Sequence, residues 1–346
     1  MRPVLSVIRK LHTSALPHNR RLVQNTPLST PHSHKAHANA FAGQAATNMT
    51  TITLKSPAIS VSLPEGLSES QLLSFAPFNS WLETLTNSLS LQRRDPRHPF
   101  HGDPYALRSV AVQSYDVWGG RVGFLKLKAR VTNAAGESLP GAVFLRGPSV
   151  AMLVMLLPDD AAARPRDGGD EDEDEDERYV LMTVQPRIPA GSLAFAELPA
   201  GMVDDDAGGS GGGGKFAGTA AREIYEELGI EIPASELVCL SELAAEGEGG
   251  GEGEGEEEGL PSAMYPSAGG CDEYIPIYMH ERRVPRATLQ EWTGKLTGLR
   301  DHGEKITLKL VPMRHLWREG RRDAKALAAL ALWEGLRREG KLQGKL

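Results

Sequence analysis

Residues 149 to 158, Ser-Val-Ala-Met-Leu-Val-Met-Leu-Leu-Pro, form an almost wholly apolar run closed by proline. The run falls well short of the roughly 18 residues that span a bilayer, and no other run in the chain approaches that length. It reads instead as a strand buried on both faces, the second of two strands in AVFLRGPSVAMLVMLLP (142 to 158) separated by a turn at Gly147 and Pro148. Such a strand needs cover on each side, so the chain must supply packed layers around a sheet.

The flanking pattern supplies them. Residues 68 to 92 place Leu72, Leu73, Phe78, Trp81, Leu82 and Leu85 near helical spacing, which predicts one or two helices. Residues 108 to 132 alternate apolar and polar around Gly119-Gly120 and predict a hairpin. Further strands are expected from Tyr179, near 237 to 243, at 273 to 280 and at 305 to 312, with a closing helix over 323 to 340. Strands interspersed with helices of separate pattern imply an α/β class with a mixed sheet, in an α/β/α or α+β layering.

Three segments interrupt this pattern: 160–177, 207–214 and 246–259. The run at 170 to 177 holds eight acids and that at 246 to 258 holds seven. The net charge of -7 therefore belongs to them, and the rest of the chain is positive by eight charges. Runs of like charge are solvated and read as loop insertions. Lysines and arginines elsewhere are scattered rather than clustered with aromatics, so neither nucleic acid nor a membrane is an expected partner. Two cysteines, Cys239 and Cys271, are too few for a disulfide framework and lack a zinc-type spacing.

The first 64 residues contain no Asp or Glu and seven Lys or Arg. Residues 1–52, rich in Ser, Thr, Pro, His and Asn, are left unfolded. Their start, MRPVLSVIRKLHTSALPHNRRLVQ, has the basic, acid-free composition of a mitochondrial presequence, with a disordered basic tail as the alternative. Met49 heads an alternative start and a cytoplasmic form.

The segment AAREIYEELGI (220 to 230) crowds Glu223, Glu226 and Glu227. With Thr219 as N-cap and Gly229 as the left-handed C-terminal residue, a helix at about 100° per residue gathers all three in one sector and turns Ala221, Ile224 and Leu228 inward. Like charges at these spacings repel by about 0.2 to 0.5 kcal/mol each, so a cation belongs there. Oxygen ligands with room for water and phosphate suit Mg²⁺. Arg222 can orient a carboxylate. The same spacing also occurs on plain solvated helix faces.

The wider pattern favours the metal. Arg222, Glu223, Ile224, Glu226, Glu227, Gly229 and Ile230 match the second half of the Nudix box, and Gly201 in AELPAG stands where that box begins. The chain resembles the Nudix hydrolases. With ELPAGMVDDD, PSAGGCDE, GKLTGLRDHGEKITLKLVP and GRVGFLKLKARV it resembles their plant-type ADP-sugar diphosphatases over roughly residues 55 to 340. One departure is that the box glutamate expected six residues after Gly201 is Ala207, followed by a glycine-rich insertion; Asp204, Asp205 or Asp206 could replace it.

The resemblance implies an α/β/α Nudix sandwich (141–342) with a small N-terminal β-rich subdomain (53–140), acting as a homodimer. It implies hydrolysis of a nucleoside diphosphate sugar to a nucleoside monophosphate and a sugar 1-phosphate, with Mg²⁺ or Mn²⁺ as cofactor. By the same resemblance, Glu223, Glu226, Glu227 and the Ala200 carbonyl hold metal, Arg187 grips a phosphate, and Glu197 orients substrate or metal. Glu273 would be the general base on a glycine-flanked loop, with Asp272 as competitor; Glu304 is a weaker further acid. Alternatives are a UDP-glucose or broad nucleotide-sugar pyrophosphatase, and a non-catalytic nucleotide-sugar sensor. Tyr115 and Trp118 serve either as a base-stacking pair or as core.

Overall fold

Two sheets carry the chain, each with its own apolar core. The computed structural model describes residues 49–160, 177–203, 212–246, 258–298 and 305–342. The presequence-like segment, the replacement candidates Asp204 to Asp206, Ala207, Glu304 and most of each insertion lie outside the described residues.

The first sheet holds β1 (Thr50–Thr53), β2 (Ser60–Leu63), β3 (Ala106–Trp118), β4 (Arg121–Thr132), β5 (Ser138–Leu139) and β6 (Ala142–Leu145). β3 and β4 make the expected hairpin. Its two turn residues, Gly119 and Gly120, have φ of 56° and 83°, the left-handed pair that a two-residue turn demands. β5 and β6 both pair with β4. The predicted helical stretch divides into α1 (Glu69–Ser74), started by a Ser68–Gln71 capping box, and α2 (Ala76–Arg94). Leu72, Phe78 and Leu82 from these helices pack on Val110, Leu125 and Leu127 of the hairpin.

The second sheet is built on β7 (Ser149–Pro158), all ten of whose residues are buried. β7 runs parallel to β12 (Ile277–Val284) and antiparallel to β8 (Tyr179–Arg187), which makes the sheet mixed. β9 (Ser192–Glu197) pairs with β8, and β10 (Ala200–Met202) with β7; β11 (Val238–Cys239), β13 (Leu296–Thr297) and β14 (Ile306–Pro312) complete it. Alternation along β7 explains the layers. Ala151, Leu153 and Met155 meet α4 (Leu240–Ala245), α6 (Leu316–Glu319) and α7 (Ala324–Arg338). Val150, Met152, Val154 and Leu156 meet α3 (Gly212–Glu223), its π-helical extension Ile224–Leu228, and α5 (Arg286–Trp292). The result is an α/β/α sandwich, and no helix of the described residues is long and apolar enough to cross a membrane.

Four local expectations are corrected. Thr219 does not cap a helix: α3 already starts at Gly212, and the Thr219 hydroxyl is buried mid-helix without a hydrogen bond. Burial of Phe216, Ala217 and Ala220 against β7 outweighs the low helix propensity of the preceding glycines. The expected strand near 237 to 243 is only Val238–Cys239 before the chain winds into α4, a run too short and apolar for periodicity to tell the two apart. The strand expected at 273 to 280 starts at Ile277, because Asp272 and Glu273 are held by other partners. Finally, the glutamate helix is not uniform. It widens to π winding after Glu223, so the angular spacing of Glu226 and Glu227 from Glu223 departs from the α-helical one. The helix does end as expected at Gly229, with φ of 69° and its amide donating to the Tyr225 carbonyl at 2.9 Å.

Candidate active site

The turn between β9 and β10, Glu197-Leu-Pro-Ala-Gly, brings two elements against the π-wound end of α3. Gly201 has a chemical reason to be glycine: a Cβ there would overlap the Glu223 carboxylate, which lies across the backbone. Next to it, the Ala200 amide donates to Glu227 Oε2 at 3.2 Å, and Gln185 of β8 donates to Glu227 Oε1 at 3.4 Å.

Glu227 is 5% exposed and faces no basic hydrogen-bond partner. Burial, then the neighbouring Glu223 and Glu197 carboxylates, push it up to about 8, and Arg187 and the Ala200 amide only partly oppose them. Arg222 lies exposed beside Glu223, with an Nη2 to Oε1 separation of 3.7 Å. Glu226 is half-buried on the same turn.

Glu197 is 4% exposed and is compensated from two directions. Arg187 Nε donates to its Oε1 at 2.6 Å, and Lys325 Nζ to its Oε2 at 2.9 Å. Lys325 also donates to Asp323 Oδ1 at 2.9 Å, and Asp323 Oδ2 accepts the Leu198 amide at 2.8 Å. Burial alone would lower the Lys325 ammonium, but Asp323 and Glu197 outweigh it and hold it above its usual value. The Arg187 side chain remains 41% exposed, so its guanidinium still faces solvent beyond the Glu197 contact.

The glycine-rich loop after residue 265 settles near the β6–β7 corner, and its two acids divide the work. Asp272 accepts the amides of Arg146 at 2.8 Å and Gly147 at 3.1 Å, which ties the loop to the corner. Burial raises its carboxyl, with those amides opposing. Glu273 accepts the Ser149 hydroxyl at 2.7 Å and lies 3.4 Å from Arg146 Nη1. Ser149 faces Met202 in the β7–β10 ladder, two residues on from Ala200, so Glu273 stands on the rim that bears the other groups. Trp118 is half exposed and packs edge-on against Phe124 at 4.4 Å, while Tyr115 joins the first core.

The structure therefore gathers Glu223, Glu227, Glu197, Arg187 and Ala200, with Glu273 on the adjoining corner. Gln185, Lys325, Asp323 and Ser149 were not singled out in the sequence. The donors around Glu227 are hard oxygens in excess negative charge, which fits a hard divalent cation. Among the described residues no three His, Cys, Asp or Glu side chains form a closed ligand set.

No family model matches the chain. A curated relative, Nudix hydrolase 14, chloroplastic, from Arabidopsis thaliana, is 34% identical over 284 residues, covering 81% of this chain and 78% of that protein. A solved structure described as the crystal structure of ADP compounds hydrolase is 15% identical over 70% of this chain and 99% of that one, with a TM-score of 0.37, too loose a likeness to carry an argument.

Proposed function

Because the chain belongs to the Nudix hydrolases, and is thus a hydrolase, we propose that it cleaves ADP-sugars such as ADP-glucose and ADP-ribose to AMP and sugar 1-phosphate with Mg²⁺. The observation that carries the reading is Glu227: a buried carboxylate crowded by Glu223 and Glu197, only partly offset by Arg187 and hydrogen-bonded by no cation among the described residues. Glu223, Glu226, Glu227 and the Ala200 carbonyl would hold the metal, with Mn²⁺ as a substitute. Bound Mg²⁺ would neutralise the diphosphate and lower the pKa of a water.

The protein's own groups do the rest. The exposed part of the Arg187 guanidinium grips a phosphate, and its bond to Glu197 aims it. Arg222 steadies Glu223. Glu273 accepts the proton of the attacking water, its carboxylate aimed by Ser149 and Arg146. We place the protein in mitochondria, with a cytoplasmic form from Met49, and as a homodimer. The chloroplastic designation of the Arabidopsis relative supports an organellar address in general terms.

The test is recombinant protein with Mg²⁺ against ADP-glucose, ADP-ribose, UDP-glucose and GDP-mannose, read by phosphate release after phosphatase coupling. Turnover of the ADP-sugars above the others is expected. Equal turnover of all four would make it a broad nucleotide-sugar pyrophosphatase, and no turnover would leave a sensor.

A further inference from the structure

A cleft of 1070 Å³ opens between α2, the β6–β7 corner and the start of α3. Phe216, Tyr265 and Tyr274 line it, with Arg146, Asp272 and Met202. The three rings form one aromatic wall: Phe216 to Tyr274 is 6.1 Å between centroids and Tyr265 to Tyr274 is 5.9 Å. All three side chains are half-buried, so each presents part of its surface to the cleft. We infer that this wall is the subsite for the purine base of the substrate. The inference rests on the reading of a nucleotide substrate given above.

The wall is anchored to the reacting groups at both ends. Phe216 lies on α3, seven residues before Glu223, about 10 Å along the helix axis. Tyr274 directly follows Glu273, and Met202 lies two residues past Ala200. Arg146 lines the cleft and its Nη1 lies 3.4 Å from Glu273 Oε1, so the cleft adjoins the rim that bears Glu273, and a ligand with its diphosphate at that rim has this cleft beside it for its other end.

Three features select a base over a sugar for that end. A planar bicyclic ring can stack on one of these rings and meet the next, tilted from it by 54° or 39°, with its edge, and stacking needs no directional partner. The phenols of Tyr265 and Tyr274 make no hydrogen bond among the described residues, which leaves two polar tips for ring nitrogens. Arg146 Nε is buried without a hydrogen-bond partner among the described residues, an unused donor in the same wall. A sugar would want several acceptors, and of the cleft's two acids Asp272 spends its oxygens on the amides of Arg146 and Gly147 while Glu258 accepts the Ser88 hydroxyl. The bicyclic ring overlaps more of the wall than a pyrimidine does, so purines are favoured.

The experiment is calorimetric titration of AMP, UMP and glucose 1-phosphate, with Mg²⁺ present, into the full chain and into Phe216→Ala and Tyr274→Ala. Tyr274→Phe, which keeps the ring, controls for folding. AMP should bind at least about tenfold tighter than UMP, and each alanine variant should weaken AMP about tenfold while leaving glucose 1-phosphate unchanged. Tyr274→Phe, which loses the phenol contact and keeps the stacking, should weaken AMP by only a few-fold, less than Tyr274→Ala. Equal AMP and UMP affinity in the unaltered protein, or unchanged AMP affinity in both alanine variants, overturns the assignment. AMP bound in this way by a protein that hydrolyses no nucleotide sugar would end the reading of function and leave the subsite standing. ADP-sugar hydrolysis with kcat/KM untouched by either alanine would do the reverse.

Discussion

Glu197 and Glu227 are buried to nearly the same degree, 4% and 5% exposed, at opposite ends of one short turn and its facing helix, yet their surroundings are opposite. Glu197 is flanked by Arg187 and Lys325, so its charge is balanced within the chain. Glu227 has an amide from Ala200 and another from Gln185, and its nearest charges include two further carboxylates. Isolating a carboxylate from water without a counter-charge is costly, and a group so placed holds a proton instead. The first glutamate is balanced as the chain folds, whereas the second is left with its burial opposed only by two amides and the more distant Arg187.

The largest effect should come from removing the uncompensated charge. On the proposed function, Glu227→Gln should lower kcat by at least about 10³-fold, since it would remove a ligand of an ion that supplies several kcal/mol. Its metal-free melting temperature at neutral pH should hold or rise, because a neutral amide replaces a carboxyl that the fold must keep protonated at a cost. A fall in melting temperature with kcat preserved would put Glu227 in the class of Glu197.

The compensated side should respond in the opposite sense. Lys325→Met leaves Glu197 and Asp323 without their shared cation and should cost about 3 kcal/mol by urea denaturation. A loss below about 1 kcal/mol would mean that Arg187 alone suffices, and the contrast between the two glutamates would shrink.

A pH series probes the same difference without mutation. Glu227 is raised from 4.5 to about 8 by folding, so between those values the native state keeps a proton that the unfolded chain has released. That contribution to stability is full below pH 4.5 and is lost as pH rises through about 8. Metal-free protein should therefore melt lower at pH 8.5 than at pH 6.5, Mg²⁺ should restore it, and Glu227→Gln should flatten the slope. A slope that survives in Glu227→Gln would locate the titrating group elsewhere. Smallest is Ser149→Ala, which removes one hydrogen bond to Glu273 and should cost about 1 to 2 kcal/mol, seen as a several-fold fall in kcat with little change in KM.

The two glutamates also differ in how far the sequence disclosed them. Glu227 stands in a tight pattern on one helix, where spacing alone gathers carboxylates, and the Ala200–Gly201 turn before it belongs to the same motif. One partner of Glu197, Lys325, arrives from 128 residues away and brings its own anchor Asp323, where DAKALAAL reads as an ordinary helix start. Asp323 is indeed the N-cap of α7, and nothing local marks its second task. Gln185 and Ser149 are equally generic polar residues in apolar strands. The π winding after Glu223 was invisible because the pattern of Ile224 and Leu228 suits either winding. For the layers, β7 was the decisive clue, since a strand apolar on both faces demands two covers; α4 was misread because six apolar-leaning residues carry no period.

Asp323 joins two events that are far apart along the chain. Its carboxylate starts α7 through the Lys325 amide at 3.1 Å and receives the Leu198 amide at 2.8 Å. The Leu198 proton can exchange with solvent only when that grip opens, so its exchange rate clocks the detachment of the last helix. A single amide in the middle of the polypeptide thereby reports how often the C-terminal end lets go, and the turn bearing Ala200 and Gly201 can be no more persistent than that attachment.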